Sequence, residues 1–300
     1  PLSLLSHRVI HNAMALFEFI RSPSGGLAIL IIMPFKKTLE RTPWWLVATI
    51  IISVTLLWHM VADQSYQRIA GVLSKGLLTT LGVTLSAFLL ASIIGLLIAL
   101  AGFSRWRAIR EFSRFYVEII RGIPVLVLLF YIAFVGAPEL VKLYNWVLHI
   151  PIDAGVLEKA RTRDFSMLWR AIFALSISYS AFIAEVFRAG IQEVGKGQIE
   201  AAQALGLSNW QRFRFITFPQ AIRKILPPLG NDFVAMIKDS ALVSVLGVQD
   251  ITQLGKIFSA SSFQFFETYN VVAFMYLVLT LTLSLIIRGF ETHLKRNDHH

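Results

Sequence analysis

Apolar residues along this chain fall in long unbroken runs separated by short polar stretches. That pattern has neither the alternation of a half-buried strand nor the one-sided stripe of a surface helix. A bilayer core needs about 20 mostly apolar residues per helix. Six segments reach that length: residues 44–62, 77–101, 119–137, 169–190, 227–247 and 270–288. The expected fold is all-α, a polytopic membrane helix bundle with six transmembrane helices. Residues 27–33 are apolar but too short to span, and residues 3–20 mix His7, Arg8, His11 and Glu18 with large apolar groups, as an interfacial helix or a tail would. The expected organisation is a cytoplasmic segment over 1–43, a transmembrane domain over 44–290 and a cytoplasmic tail over 291–300.

Composition agrees with that pattern. The 300 residues are 56% hydrophobic and 15% charged, too apolar for an ordinary soluble domain. With no cysteine, disulfides, iron–sulfur clusters and thiolate zinc sites are excluded. The net charge of +10 sits at the ends of apolar segments and forms no basic stripe interleaved with aromatics, so nucleic acid is not an expected partner. Lys36, Lys37 and Arg41 precede the first span. Arg105, Arg107, Arg110 and Arg114 follow the second, Lys196, Arg212, Arg214, Arg223 and Lys224 the fourth, and Arg288, Lys295 and Arg296 the sixth. The opposite connectors are poorer in Lys and Arg, so these regions and both termini are expected on the cytoplasmic side.

The connector between the fourth and fifth spans is unusual. Gln198 to Leu205 is rich in helix formers, Gly206 suits the residue just past a helix end, and Ser208 with Gln211 reads as a capping box. The spacing predicts a helix–turn–helix whose second helix runs from Asn209 to about Phe218, where Pro219 interrupts it. Trp210, Phe213, Phe215 and Phe218 are many large apolar groups for a short loop. Two readings stand: a groove in a partner buries them, or they pack on the membrane surface and the chain's own helices.

The spacing of Glu200, Ala201, Ala202, Gly206, Leu207, Ile216 and Pro219 resembles the EAA signature of bacterial ABC importer permeases. The runs Arg121-Gly122-Ile123-Pro124, Ala184 to Ile191, Gly195 to Gln198 and Lys238 to Leu242 are similar to the polar-amino-acid branch of that family, and the resemblance covers residues 72–290. It implies a transmembrane permease subunit in a bacterial inner membrane, working by alternating access. It also implies a pair of separate ATPase subunits docked on residues 200–219 and holding the ATP and magnesium. A second permease subunit (a paralogue is expected), an extracytoplasmic amino-acid-binding protein, an amino-acid substrate and membrane lipid complete the expected partners. Two departures from the branch are the additional span at 44–62 and a longer connector at 138–167. The rival class is a secondary transporter or channel without ATP, which leaves the 200–219 spacing unexplained. No enzyme is expected, since no nucleophile–base pair, metal cluster or carboxylate dyad is evident.

Gly190 to Lys196 nearly spells a phosphate-binding loop, but Gly197 stands where a magnesium-binding Ser or Thr belongs and the run follows a membrane segment. His7 and His11 have helical ligand spacing without a supporting cluster. Pro227-Pro228 suits the first turn of a helix, and Gly122 with Pro124 suits a kink in the third span, its start, or plain packing. Gly82, Ser86, Ala87, Ala91, Ser92 and Gly95 suit close helix packing. Ionisable groups within spans face cavities or one another. Glu185 and Arg188 share a helix face, as an internal ion pair or as part of the translocation path. Lys238 and Asp239 fall about 17 Å into a span that starts at Pro227, near the bilayer midplane. Glu185, Lys238 and Asp239 are the candidate substrate-pathway residues. Arg188 accompanies them, and Asp232, with Asn231, suits an inner gate.

Overall fold

The structure is a computed structural model describing residues 44–296. The described residues are mostly helical, with no strand among them. The expectations for residues 1–43, the interfacial helix and the His7/His11 pair included, lie outside them. The chain divides into two compact units at Leu57/Trp58. The first contributes residues 44–57, the beginning of helix α1 (Trp44–Ala62), a run of apolar residues interrupted only by Thr and Ser.

The second unit holds the remaining elements. Helices α2 (Gln64–Leu73) and α3 (Lys75–Gly102) are followed by the amphipathic α4 (Arg107–Gly122). Helix α5 (Val125–Tyr131) runs through a π-helical turn (Ile132–Gly136) into α6 (Ala137–Val147), with the short α7 (His149–Asp153) beyond. Helix α8 (Met167–Gln192) leads to α9 (Lys196–Ala204) and α10 (Asn209–Arg212). A second π turn (Phe213–Thr217) then joins α10 to α11 (Phe218–Asp239). A 3-10 stretch (Ser240–Leu246), α12 (Ile251–Ser262) and α13 (Phe265–Arg296) complete it.

The core is the seam between α3 and α8. Along α3, Val83, Ala87, Ala91, Gly95 and Ala99 recur every four residues and all are buried. This stripe of mostly small groups lets the two backbones come together. A Cβ on Gly95 would lie 2.9 Å from the Ser180 carbonyl oxygen of α8. Ser176 on α8 completes the fit by donating to Ala87 O (3.2 Å) as well as to Ile172 O in its own helix (2.6 Å). Gly82 and Ser86, expected in the same role, instead lie on the exposed face of α3, because the seam follows the four-residue spacing and they fall between its positions. A second core joins α2, α12 and α13 around Tyr66, Ile69, Leu73, Ile251 and Val271. Its polar anchor is Asp250, fully buried at the head of α12. The Asp250 carboxylate accepts the Gln253 N–H (2.7 Å) and the Tyr276 hydroxyl (3.1 Å). Gly76 packs against its backbone so closely that a Cβ would meet it at 2.6 Å.

Among the described residues, four helical stretches are long and apolar enough to cross a membrane: Gln64–Gly102, Val125–Val147, Met167–Gln192 and Phe265–Phe290. The segment expected at 119–137 is displaced to Val125–Val147. Pro124 forces Ile123 into an extended conformation (φ −106°, ψ 132°), which ends α4 before the apolar run begins. The segment expected at 227–247 is not one helix. α11 starts nine residues earlier, at Phe218, and gives way to a 3-10 turn at Ser240. Pro227 and Pro228 therefore lie inside a helix and not in its first turn. Pro219 interrupts nothing. It sits at the start of α11, just after the π turn, where the Phe218 N–H bonds back to Phe213 O. The widened register of that turn gives the proline ring the room that a regular turn denies it.

Candidate functional site

Two places in the second unit carry chemistry that its packing does not require. The first is the helical hairpin over 196–218. Helix α9 ends in a Schellman motif, with Leu207 N–H bonding Ala202 O (3.1 Å), Gly206 N–H bonding Gln203 O (3.0 Å) and Gly206 at φ +78°. Ser208 and Gln211 then form the reciprocal capping box that opens α10. Arg212 donates to the Gln203 side chain across the turn (3.0 Å) and to Asn209. Ile199 packs beside Val194, Ala221 and Ile225, which fixes the hairpin to the ends of α8 and α11. Lys224 and Glu193 add an exposed ion pair (3.3 Å) between the same two ends.

The hairpin keeps little of its own apolar surface. Ala202 is buried, Leu207, Ile216 and Pro219 are half-buried, and Glu200 and Ala201 are exposed. Leu205 at the tip is 80% exposed, Trp210 66% and Phe215 61%. Trp210, Phe213 and Phe218 form a chain of ring contacts, with centroids 5.8 and 5.9 Å apart, that holds the aromatic face in shape without covering it. A fixed, exposed patch of this kind on a short connector suits either a partner's groove or the membrane surface. The neighbouring Gly190–Lys196 run ends α8 and turns into α9 with no strand before it, so it lacks the strand–loop–helix frame of a phosphate-binding loop.

The second place is the set of ionisable groups along α8 and α11. Arg188 pairs with Glu185 in a two-point fork, Nε to Oε1 at 3.0 Å and Nη2 to Oε2. Both line a cleft of about 380 Å³ together with Ser113, Arg114 and Glu118 of α4 and Gln192 at the end of α8. Asp239 is elsewhere. It is the last residue of α11 and accepts the Tyr179 hydroxyl at 2.7 Å. Tyr179 lies six residues, about 9 Å of rise, before Glu185 on α8. Lys238 is exposed and lies about 30 Å along a helix that starts at Phe218, in its last turn and not midway. The helix reaches back beyond Pro227 because α11 begins earlier than its apolar run. Asp232, two turns before Asp239, has a buried carboxylate oxygen without a hydrogen-bond partner among the described residues. The structure thus brings Glu185 and Arg188 together with α4, and Asp239 together with Tyr179, as two separate groupings.

Sequence reasoning passed over several of these groups. Arg170, 6% exposed in the first turn of α8, donates to Phe165 O (2.8 Å), Ala133 O (3.1 Å) and Thr162 O. It so fastens the connector before α8 to the π turn, whose irregular register leaves a carbonyl free. Its one signal was a cation at the start of an apolar run. Tyr179 gave no local signal, since its partner Asp239 lies on another helix, whereas Asp250 caps its own helix through Gln253 N–H three residues on.

Comparison with known proteins agrees with this geometry. The family described as "Binding-protein-dependent transport system inner membrane component" matches residues 91–297. The glutamine transport system permease protein GlnP of Escherichia coli (strain K12) is 34% identical over 228 residues, 75% of this chain and 93% of that protein. The probable amino-acid permease protein YxeN of Bacillus subtilis (strain 168) is 33% identical over 219 residues, 73% of this chain and 89% of the relative. A crystal structure of an amino acid ABC transporter with histidines superposes with a TM-score of 0.64 at 35% identity, covering 76% of this chain and 97% of that one. The inward-facing MetNI methionine ABC transporter shares the fold, with a TM-score of 0.58 at 19% identity.

Proposed function

The chain belongs to the inner-membrane components of binding-protein-dependent transport systems, and from that premise we propose that it is the permease subunit of an ATP-driven amino-acid importer. The relatives named as glutamine and amino-acid permeases support the substrate class. The energy enters through a separate pair of ATPase subunits that bind ATP and magnesium. A second permease subunit encloses the path, and an extracytoplasmic binding protein delivers the amino acid. The chain crosses the membrane six times, with α1 and α11 added to the four long apolar stretches, and both termini are cytoplasmic.

The observation that carries this reading is the uncovered aromatic hairpin. Its backbone is fixed by a Schellman turn and a capping box, so a push on its tip reaches α8 and α11 without being absorbed on the way. Side chains such as Leu205 and Trp210 each contribute about 1.5–3 kcal/mol when a partner's groove removes them from water. Alternating access then needs only that ATP prefer one arrangement of the ATPase pair and that the hairpin transmit the preference. Glu200, Ala201, Ala202, Gly206, Leu207, Ile216 and Pro219 build the docking element. Glu185, Arg188, Asp232, Lys238 and Asp239 are assigned to the pathway walls.

The test is the complex with Leu205→Glu and Trp210→Ala combined. The variant chain should insert and stay monodisperse, while retention of the ATPase on affinity purification falls at least tenfold and ATP-driven uptake into proteoliposomes is lost. Full retention of the ATPase with normal uptake overturns the docking assignment. Uptake by the wild-type chain driven by an ion gradient, with no ATP, would favour the secondary-transporter class instead.

A further inference from the structure

The cleft between α4 and α8 has a charge inventory that its own ion pairs do not exhaust. Glu185 and Arg188 satisfy each other, but Arg114 reaches only a loose contact with Glu111 (3.6 Å). Glu118 and Gln192 make no side-chain hydrogen bond or ion pair among the described residues, although both line the cleft. The floor is fixed: Ser113 Oγ donates to Ile98 O (2.7 Å), and Val117 packs with Ala99 and Ala184. A shaped cavity of about 380 Å³ with mostly polar walls therefore presents, within one small space, an exposed carboxylate with no protein partner among the described residues beside guanidinium and amide donors open to a ligand.

We infer that this cleft binds the zwitterionic head of a free amino acid, with Glu118 taking the ammonium and Arg114, Arg188 and Gln192 taking the carboxylate. The inference rests on the reading of the chain as an amino-acid permease and deepens it by naming a site. A ligand carrying both charges supplies what the cleft lacks, whereas a simple anion would face Glu118 and a simple cation would face Arg114. The cleft lies where α3 and α8 end, at Gly102 and Gln192, on the side assigned to the cytoplasm, so it is a release-side site. A phosphatidylethanolamine headgroup has related chemistry, a phosphate beside an ammonium, and the test separates the two sources.

The intact complex, without its binding protein, is placed in nanodiscs of phosphatidylcholine and phosphatidylglycerol and titrated with labelled L-glutamine and L-histidine. Glu118 is exposed, so Glu118→Gln leaves the fold intact. It should weaken binding roughly tenfold, the usual scale for one charge-assisted contact. The double exchange Glu185→Arg with Arg188→Glu keeps an intrahelical pair but reverses its polarity, and it should weaken binding further. If the pair merely holds the helix, the exchange leaves binding unchanged. Wild-type affinity in both variants overturns the inference. So does displacement of the amino acid by phosphatidylethanolamine with no effect of Glu118→Gln. In either case, continued ATP-driven amino-acid uptake by the wild-type complex leaves the import reading standing. Absence of such uptake for any amino acid overturns the premise itself.

Discussion

The α3–α8 seam and the 196–218 hairpin use apolar residues in opposite ways. In the seam the side chains are small, buried and spaced every four residues, and the close approach of two backbones does the packing. In the hairpin the side chains are large, exposed and aromatic, and the backbone is fixed by caps and a left-handed turn with almost no core beneath it. Stability resides in the first region, while the second holds its shape locally and leaves its surface free. The proposed import cycle, in which the subunit moves as one body while pushed at one end, would use both: a seam that does not yield and a contact element that does not melt when its partner lets go.

That contrast can be broken most severely at Gly95. A leucine there places its Cβ 2.9 Å from Ser180 O, a backbone atom that cannot step aside. Gly95→Leu should cost the seam about 3 kcal/mol or more and abolish recovery of folded subunit, as size-exclusion chromatography and thermal unfolding in detergent will report. A fully stable variant would mean the helices separate freely and the seam is not the rigid body described. The hairpin should respond differently. Gly206 holds φ +78°, and a β-branched residue there costs about 1–2 kcal/mol locally. Gly206→Val should leave the unfolding temperature of the subunit within a few degrees while uptake drops at least tenfold and ATP hydrolysis no longer responds to substrate. A parallel collapse of stability would show that the hairpin is part of the core. The smallest effect is expected at Ser208. Ser208→Ala removes one cap, worth about 1 kcal/mol, from an element that still has its Schellman turn. Uptake should fall only severalfold, with ATPase binding intact, and Ser208→Asp should restore it.

Much of this was legible in the linear chain. Long apolar runs, Gly206, the Ser208/Gln211 box and the positions from Glu200 to Pro219 are local signals, and each acts through its own backbone or within a few residues. Helix ends were read less well where proline was involved. Pro124, which suited a kink or the start of the third span, does start α5, only a few residues later than the apolar run suggested, while Pro219, Pro227 and Pro228 were absorbed into helix where a break or a beginning was expected. The difference lies in what surrounds each proline: a π turn made room for Pro219, whereas nothing relieved Ile123 ahead of Pro124. The polar groups within the helices were found as residues but not as partners. Glu185 and Arg188 were visible as a pair because they lie three apart on one helix. Their meeting with Glu118 and Arg114, and that of Asp239 with Tyr179, depends on which face of α4, α8 and α11 turns toward its neighbour.

Composition and spacing alone determined that this chain is helical, apolar enough for a membrane and equipped with a capped, aromatic hairpin, because solvent preference and capping are properties of short stretches. Which small residues form the seam, where Lys238 lies along its helix, and which charges share a cleft were decided only by the folded arrangement. Helix rotation and crossing are fixed by contacts between segments far apart in sequence, 171 residues in the case of Thr80 and Ile251, and no local pattern records them.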